Sequence, residues 1–260
     1  MRHLNWLKLP VFVRECGGDN PHSLEIQKKI IAEKGFLKNL YKDWYTEFGN
    51  EIKGLKNGLV IELGSGGGFI KDVIPEAVTS DILLLSGIDL NLSVLEMPFK
   101  NNLVDAFFML DVLHHVKEPE AFFRELERCL KVGGKVIMIE PANTVWSRFI
   151  YRYFHREPFD DHSGWRILGE GGPLTCANSA IPLIIFFRDR QRFEQKFPSL
   201  RIRRLYAHTP LRYLISGGVS MCQLLPSWTY PVIKKIEAIL SPFDNQIGMF
   251  LTIEIEKKES

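Results

Sequence analysis

The sequence predicts an α/β domain built on a mainly parallel sheet, and three observations carry that expectation. An apolar run through Val60, Ile61, Glu62 and Leu63 enters the turn Gly64-Ser65-Gly66-Gly67-Gly68, a glycine-rich exit from a strand toward a helix. Short apolar runs and amphipathic helical patterns then alternate as far as Pro141, the succession that makes neighbouring strands parallel. Near the end of the chain Leu251, Ile253 and Ile255 alternate with Thr252, Glu254 and Glu256, which suits an antiparallel edge strand.

The elements follow in order. Residues 23–48 read as an amphipathic helix, with Ile26, Ile30, Ile31, Phe36, Leu37, Leu40, Trp44, Tyr45 and Phe48 on one face and a break expected near Gly35. Residues 70–74 form a short helix that Pro75 stops, and 77–81 a second strand. Residues 103–110 are a buried strand, 118–130 a helix on Phe122, Leu126 and Leu130, and 135–140 a strand after the turn at Gly133 and Gly134. Beyond Pro141 the chain becomes aromatic-rich and punctuated by glycine and proline, with strands again at 202–206 and 249–256. Residues 181–187, followed by Arg188, Asp189, Arg190 and Phe193, read as a buried helix with a charged end.

At 260 residues, 45% hydrophobic and 25% charged, the chain can bury one full core, alone or with an elaborated cap. A net charge of +2 argues against nucleic-acid phosphate as the main partner. Cys16, Cys129, Cys176 and Cys222 are far apart and contain no C-x-x-C pair, so neither zinc nor a disulfide framework is indicated and a reducing, cytoplasmic setting is expected. Arg2 and Lys8 are not followed by the apolar segment and cleavage site of a secretory signal. Residues 213–233 carry no charge and are long enough to cross a bilayer, but Gly217, Gly218, Pro226 and Pro231 interrupt them. Arg201, Arg203, Arg204, Arg212, Lys234 and Lys235 flank this stretch. It therefore reads as a packed cap or as a peripheral contact with an anionic membrane at its inner face.

The chemistry starts at the glycine turn. Alternate glycines let the backbone turn sharply and approach a ligand that any Cβ would repel, which points to a nucleoside cofactor. Phe69 stands where a dinucleotide fingerprint needs glycine or alanine. Glu62, two residues before the first glycine, suits a ligand carrying an amino group, as S-adenosyl-L-methionine does.

Several segments fall in one order: Val60 to Phe69, Thr79-Ser80-Asp81-Ile82, Glu96-Met97-Pro98-Phe99, Val104-Asp105, Asp111-Val112-Leu113-His114-His115-Val116, Arg124-Glu125-Leu126 and Leu130-Lys131-Val132-Gly133-Gly134. Together they resemble a class I S-adenosylmethionine-dependent methyltransferase of the type 11 group, over about the first 140 residues and again at the last strand. The resemblance implies a Rossmann-like, doubly wound, seven-stranded sheet of order 3-2-1-4-5-7-6 with strand 7 antiparallel. It implies a single domain over 1–260: a helical lid at 1–50, a cofactor-binding core at 51–142, an acceptor-side cap at 143–245 and the final strand at 246–260. Glu62, Gly64, Gly66 and Gly68 would hold the methionine part of the cofactor, with Ser65 in the turn. Asp81 would accept from the ribose hydroxyls, with Ile82 and Leu110 beside the nucleoside. Many relatives place an acid against adenine where this chain has Ser93, so backbone groups near Ser93 and Val94 are expected to serve instead.

Asp111, His114 and His115 follow the fourth strand, at the edge where ligands of open α/β sheets bind. A neutral imidazole there is a competent base, which makes His114 or His115 the candidate catalytic group. No third ligand for a metal is evident, and no metal is expected. Acceptor contacts are expected from Asp111 and from the loop that carries His155, Asp160, His162 and Trp165. The function expected is methyl transfer to a small-molecule, glycan or lipid-linked acceptor at oxygen. The alternatives are a non-catalytic cofactor-binding or membrane-associated scaffold, and an NAD-dependent dehydrogenase, against which stand Phe69 and the lack of an obvious Tyr-x-x-x-Lys pair.

Overall fold

The computed structural model describes residues 7–16, 18–55, 58–154 and 157–259. The elements run α1 (Pro10–Glu15), α2 (Pro21–Glu33), α3 (Gly35–Glu51), β1 (Val60–Leu63), β2 (Val78–Asp81), β3 (Leu90–Asn91), β4 (Val104–Leu110), α4 (Pro119–Cys129), β5 (Leu130–Pro141) and α5 (Val145–Phe154). There follow α6 (Ile181–Leu183), α7 (Arg190–Lys196), β6 (Leu200–His208), α8 (Arg212–Ser216), α9 (Tyr230–Leu240), α10 (Asp244–Ile247) and β7 (Phe250–Lys257). Proline at the first turn starts α2, α4 and α9, where its missing N–H costs nothing. Asn20 caps α2 by accepting from Ser23 N at 2.9 Å.

The seven strands form one sheet of order β3-β2-β1-β4-β5-β7-β6, as the resemblance implied. β1 through β5 pair in parallel, and β7 is antiparallel to both β5 and β6. β7 is therefore not an edge strand; β6 is. Its alternation misled because both faces are buried: Thr252 Oγ1 meets His208 Nε2 at 2.9 Å, and Glu254 pairs with Lys135 and Arg204, so the polar positions are satisfied inside the protein.

The helix expected over 23–48 is two, broken at Lys34, whose ψ of 89° is extended. The strand expected at 135–140 begins earlier, at Leu130, with a register shift where Gly133 turns at φ 79°. The buried helix near 181 is α6 continued by a π-helical turn, Ile184–Arg188, before α7.

Helices cover both sheet faces. One core gathers Phe122, Phe123, Phe186, Phe193 and Phe197 from α4 to α7 against β4 and β5. The other sets Phe36, Trp44, Tyr45 and Phe48 of α3 against Phe108 and Phe250, with Phe48 and Phe108 stacked at 4.5 Å. Residues 213–233 pack on this second layer: Tyr213 meets Phe250 edge-on at 4.7 Å, and Gln223 Oε1 accepts from Phe36 N at 3.0 Å. No helix among the described residues is long and apolar enough to cross a membrane.

Candidate active site

Parallel register brings the strand ends together. Leu63 of β1 stands opposite Ser80 of β2 and Met109 of β4, and Leu110 of β4 stands opposite Ile139 of β5. The residues that end or follow these strands, Glu62 to Gly68, Asp81, Asp111 and Glu140, therefore share one carboxyl edge, where open α/β sheets place their ligands.

Glu62 is buried, with 1% of its surface exposed. Burial pushes its carboxyl up to about 7, against the opposing hydrogen bonds from Ser65 and Tyr45. Its Oε2 has no hydrogen-bond partner. Gly64 and Gly66 take φ values of 69° and 48°, the left-handed region in which a side chain is strained. At Gly68 a Cβ would lie 2.2 Å from Tyr45 Oη and 2.9 Å from Ser65 O. α2 lies against this loop, since a Cβ on Gly67 would fall 2.7 Å from Lys28 N. A buried acid with one orphaned oxygen, under a turn that excludes side chains, fits the ammonium of S-adenosylmethionine.

Asp81 ends β2 as expected. Its Oδ2 accepts from Gly66 N and its Oδ1 from Leu83 N, both at 2.9 Å, which ties the second strand to the glycine loop. Ile82 beside it is exposed. Ser93 and Val94 are half-buried just beyond Leu92, whose N–H donates to Asp81 O at 3.0 Å, and Leu110 is half-buried at the end of β4.

The second half of the edge is a polar cluster. Glu140, fully buried, accepts from Val112 N at 2.9 Å and Leu113 N at 2.6 Å, and its Oε2 meets His114 Nδ1 at 2.7 Å. His114 Nε2 lies 3.2 Å from Glu157 Oε2, and His115 Nε2 lies 3.7 Å from Glu157 Oε1. Asp111, at φ 62°, stands 3.8 Å from His114 Nδ1.

The two histidines differ in charge. Burial alone would lower the pKa of His114, but Asp111, Glu140 and Glu157 outweigh it and hold the ring protonated well above its ordinary value. With Glu140 on Nδ1 and Glu157 beside Nε2, both nitrogens of His114 face carboxylates. For His115 burial and the neighbouring His114 cation act together and push the pKa down to about 4. Its Nδ1 meets Cys176 O at 3.2 Å, so that nitrogen carries the proton and Nε2 keeps the lone pair.

The loop expected to bind acceptor does not act as a unit. His155 lies outside the described residues. Trp165 is a core residue, 4% exposed, packed on Phe123 and Phe193 with Nε1 donating to Asp189 Oδ2 at 2.9 Å. Its indole could leave the loop's polar surface because Asp189 supplies the buried partner it needs. Asp160 is spent within its own turn, accepting from His162 N at 3.0 Å, and the His162 side chain is 95% exposed. Glu157 is the residue of this loop that reaches the histidines. Sequence reasoning missed Glu157, Glu140 and Tyr45. Glu140 carries the signal that found Glu62 and Asp81, an acid closing an apolar strand; Glu157 has no periodic or motif signal. Glu157 also supplies the third potential ligand that the sequence did not show: it, His114 and His115 offer ligand atoms within 4.8 Å of one another.

Residues 71–138 match a family described as a methyltransferase domain. No curated protein matches the chain. Among solved structures it is similar to the geranyl diphosphate C-methyltransferase of Streptomyces coelicolor A3(2), at 18% identity over 92% of this chain and 86% of that one, with a TM-score of 0.45. It is also similar to phosphoethanolamine N-methyltransferase 2 of Haemonchus contortus, at 12% identity over 84% of this chain and 53% of that one, with a TM-score of 0.47. The matched segment, the sheet order and the acid-tipped glycine loop agree with the resemblance to a class I S-adenosylmethionine-dependent methyltransferase.

Proposed function

We propose that the chain transfers a methyl group from S-adenosylmethionine to a hydroxyl oxygen of a small amphipathic molecule, a lipid-linked glycan being the fitting class. The observation that supports oxygen is the geometry of His115: its Nδ1 is turned to Cys176 O, which leaves the Nε2 lone pair at the carboxyl edge of β4, 3.7 Å from a Glu157 carboxylate that would receive the charge of the imidazolium. A hydroxyl must lose its proton to become a good nucleophile, and a neutral imidazole beside it can take that proton. Bound S-adenosylmethionine supplies a methyl carbon already made electrophilic by its sulfonium, so the protein's task is mainly to position the acceptor.

For the cofactor, Glu62 Oε2 takes the ammonium, with Gly64, Ser65, Gly66 and Gly68 as the close-approach backbone. Asp81 keeps further lone pairs beyond its two amide contacts, and these take the ribose hydroxyls. Backbone groups at Ser93 and Val94 face adenine, with Ile82 and Leu110 flanking it.

The amphipathic acceptor is supported by α5, which starts just after the end of β5. Its inner face packs Tyr151 near the acidic cluster, with Oη donating to Met249 O at 2.6 Å. Its outer face leaves Val145, Trp146, Phe149, Tyr153 and Phe154 exposed, an aromatic surface with Arg148 and Arg152 on the same helix.

The test is methyl-labelled S-adenosylmethionine with fractionated lipid and glycan extracts. Label is expected in an alkali-stable ether, and His115→Ala should lower kcat by about 10² to 10⁴ with cofactor affinity kept. Label on nitrogen, carbon or an alkali-labile ester refutes the hydroxyl acceptor. Retained S-adenosylhomocysteine binding with no label in any fraction would favour the scaffold reading.

A further inference from the structure

We propose that His114 Nε2, His115 Nε2 and a carboxylate oxygen of Glu157 form a divalent-cation site of the two-histidine, one-carboxylate kind. The spacing supports it. His114 Nε2 and Glu157 Oε2 are 3.2 Å apart, His115 Nε2 and Glu157 Oε1 3.7 Å, and all three ligand groups fall within 4.8 Å. Bonds of about 2.0–2.1 Å set neighbouring ligands of a tetrahedral or octahedral ion about 3.0–3.4 Å apart. Only a small closure is needed, and the ion takes the place of the proton that His114 Nε2 holds toward Glu157.

The far side of each ring is already anchored as a metal-bound imidazole requires. His114 Nδ1 is held by Glu140 at 2.7 Å and His115 Nδ1 by Cys176 O at 3.2 Å, which fixes both rings with Nε2 toward Glu157. Ser179 Oγ, 3.3 Å from Glu157 Oε2, steadies the carboxylate. His114 Nε2 is buried and faces the Glu157 carboxylate.

A competing set, Asp111, His114 and Glu140, also clusters within 4.8 Å. It is the weaker choice, because Glu140 Oε1 already accepts from the Val112 and Leu113 amides and Oε2 already bonds His114 Nδ1. Asp111, Glu140 and Glu157 put three carboxylates around two imidazoles, a charge that suits a dication. Two imidazoles and one carboxylate select zinc, iron, cobalt or manganese over magnesium or calcium. His114 is 1% exposed, His115 18% and Glu157 29%, so an ion would enter past Glu157 and His115 and seat against His114.

Three protein ligands would leave a position for an oxygen ligand, and a bound ion would lower the pKa of a hydroxyl held there. That role rests on the oxygen-acceptor reading and would replace His115 as the activating group; the binding itself does not depend on it.

The full chain, tag removed and treated with chelator, is titrated with Co²⁺ by visible absorption and with Zn²⁺ by calorimetry. One saturable equivalent is expected, with cobalt bands that Zn²⁺ displaces and at least roughly tenfold weaker binding in both Glu157→Gln and His115→Ala. S-adenosylhomocysteine binding in the same samples reports folding and the cofactor site separately. The proposal is overturned if wild type gives no cobalt spectrum, or if variants that still bind S-adenosylhomocysteine bind the metal as wild type does. Loss of S-adenosylhomocysteine binding alone would sink the cofactor reading and leave the metal site standing.

Discussion

Replacing Glu62 with glutamine should move stability and cofactor binding in opposite directions. The folded protein raises this carboxyl from 4.5 to about 7, chiefly by burial. A carboxyl raised in the fold binds protons that the unfolded chain has released, so its contribution to stability is full below pH 4.5 and is lost as pH rises to about 7. With 1.36 kcal/mol per unit, the penalty above neutrality is about 3 kcal/mol. The glutamine amide of Glu62→Gln is neutral at every pH and removes it. At pH 8 the variant's Tm should rise by several degrees, at roughly 2–4 °C per kcal/mol for a chain near this size, whereas at about pH 4, where both side chains are neutral, the two proteins should melt alike. Binding should change the other way, because a charge-assisted hydrogen bond worth about 1.5–3 kcal/mol is lost, on the order of 10- to 100-fold in S-adenosylhomocysteine affinity. Wild-type affinity should climb with pH through about 7, and the variant's should be flat. Differential scanning calorimetry and titration calorimetry across this range are the assays. A variant that melts lower at pH 8, or binds as tightly as wild type, refutes the reasoning.

Three further outcomes follow from other contacts. Gly68→Ala places a Cβ 2.2 Å from Tyr45 Oη, which displaces a phenol bonded to Glu62; a loss of about 1–3 kcal/mol in chemical denaturation is expected, with weaker S-adenosylhomocysteine binding. Glu237 accepts from Leu211 N and Arg212 N at 2.8 and 2.6 Å and pairs with the Arg212 guanidinium, itself 2.6 Å from Asp43. Glu237→Ala leaves that buried cation half-paired, so urea unfolding should show a loss of about 3–5 kcal/mol, and a loss below about 1 kcal/mol would mean the network does not tie α9 to α3. For the α5 surface, a Trp146→Glu, Phe149→Glu double variant should lose co-sedimentation with anionic vesicles; equal recovery of wild type with and without vesicles would remove the membrane contact.

The strand-end placement of the residues proposed for the cofactor was legible because its signals are local. Glu62, the glycines and Asp81 each sit at a strand end, and the backbone demands of the turn are written in the residues themselves. The acceptor half was not. His114 and His115 look equivalent in sequence, yet Glu140, 26 residues on, binds one ring and leaves the other to Cys176. Trp165 and Glu157 share a loop of mixed chemistry, and nothing in its spacing says which side chain turns to the core and which to the edge.

By itself the sequence determined the α/β succession, the glycine turn and the acids that close β1 and β2, because strand and helix periodicity and glycine conformation are properties of neighbouring residues. Only the tertiary structure decided that both faces of β7 are buried, that His114 turns to Glu140 while His115 turns to Cys176, and that Glu157 joins them. Those outcomes depend on burial and on charges brought together from distant parts of the chain, and a pKa or a strand's place in a sheet is set by what surrounds it in space.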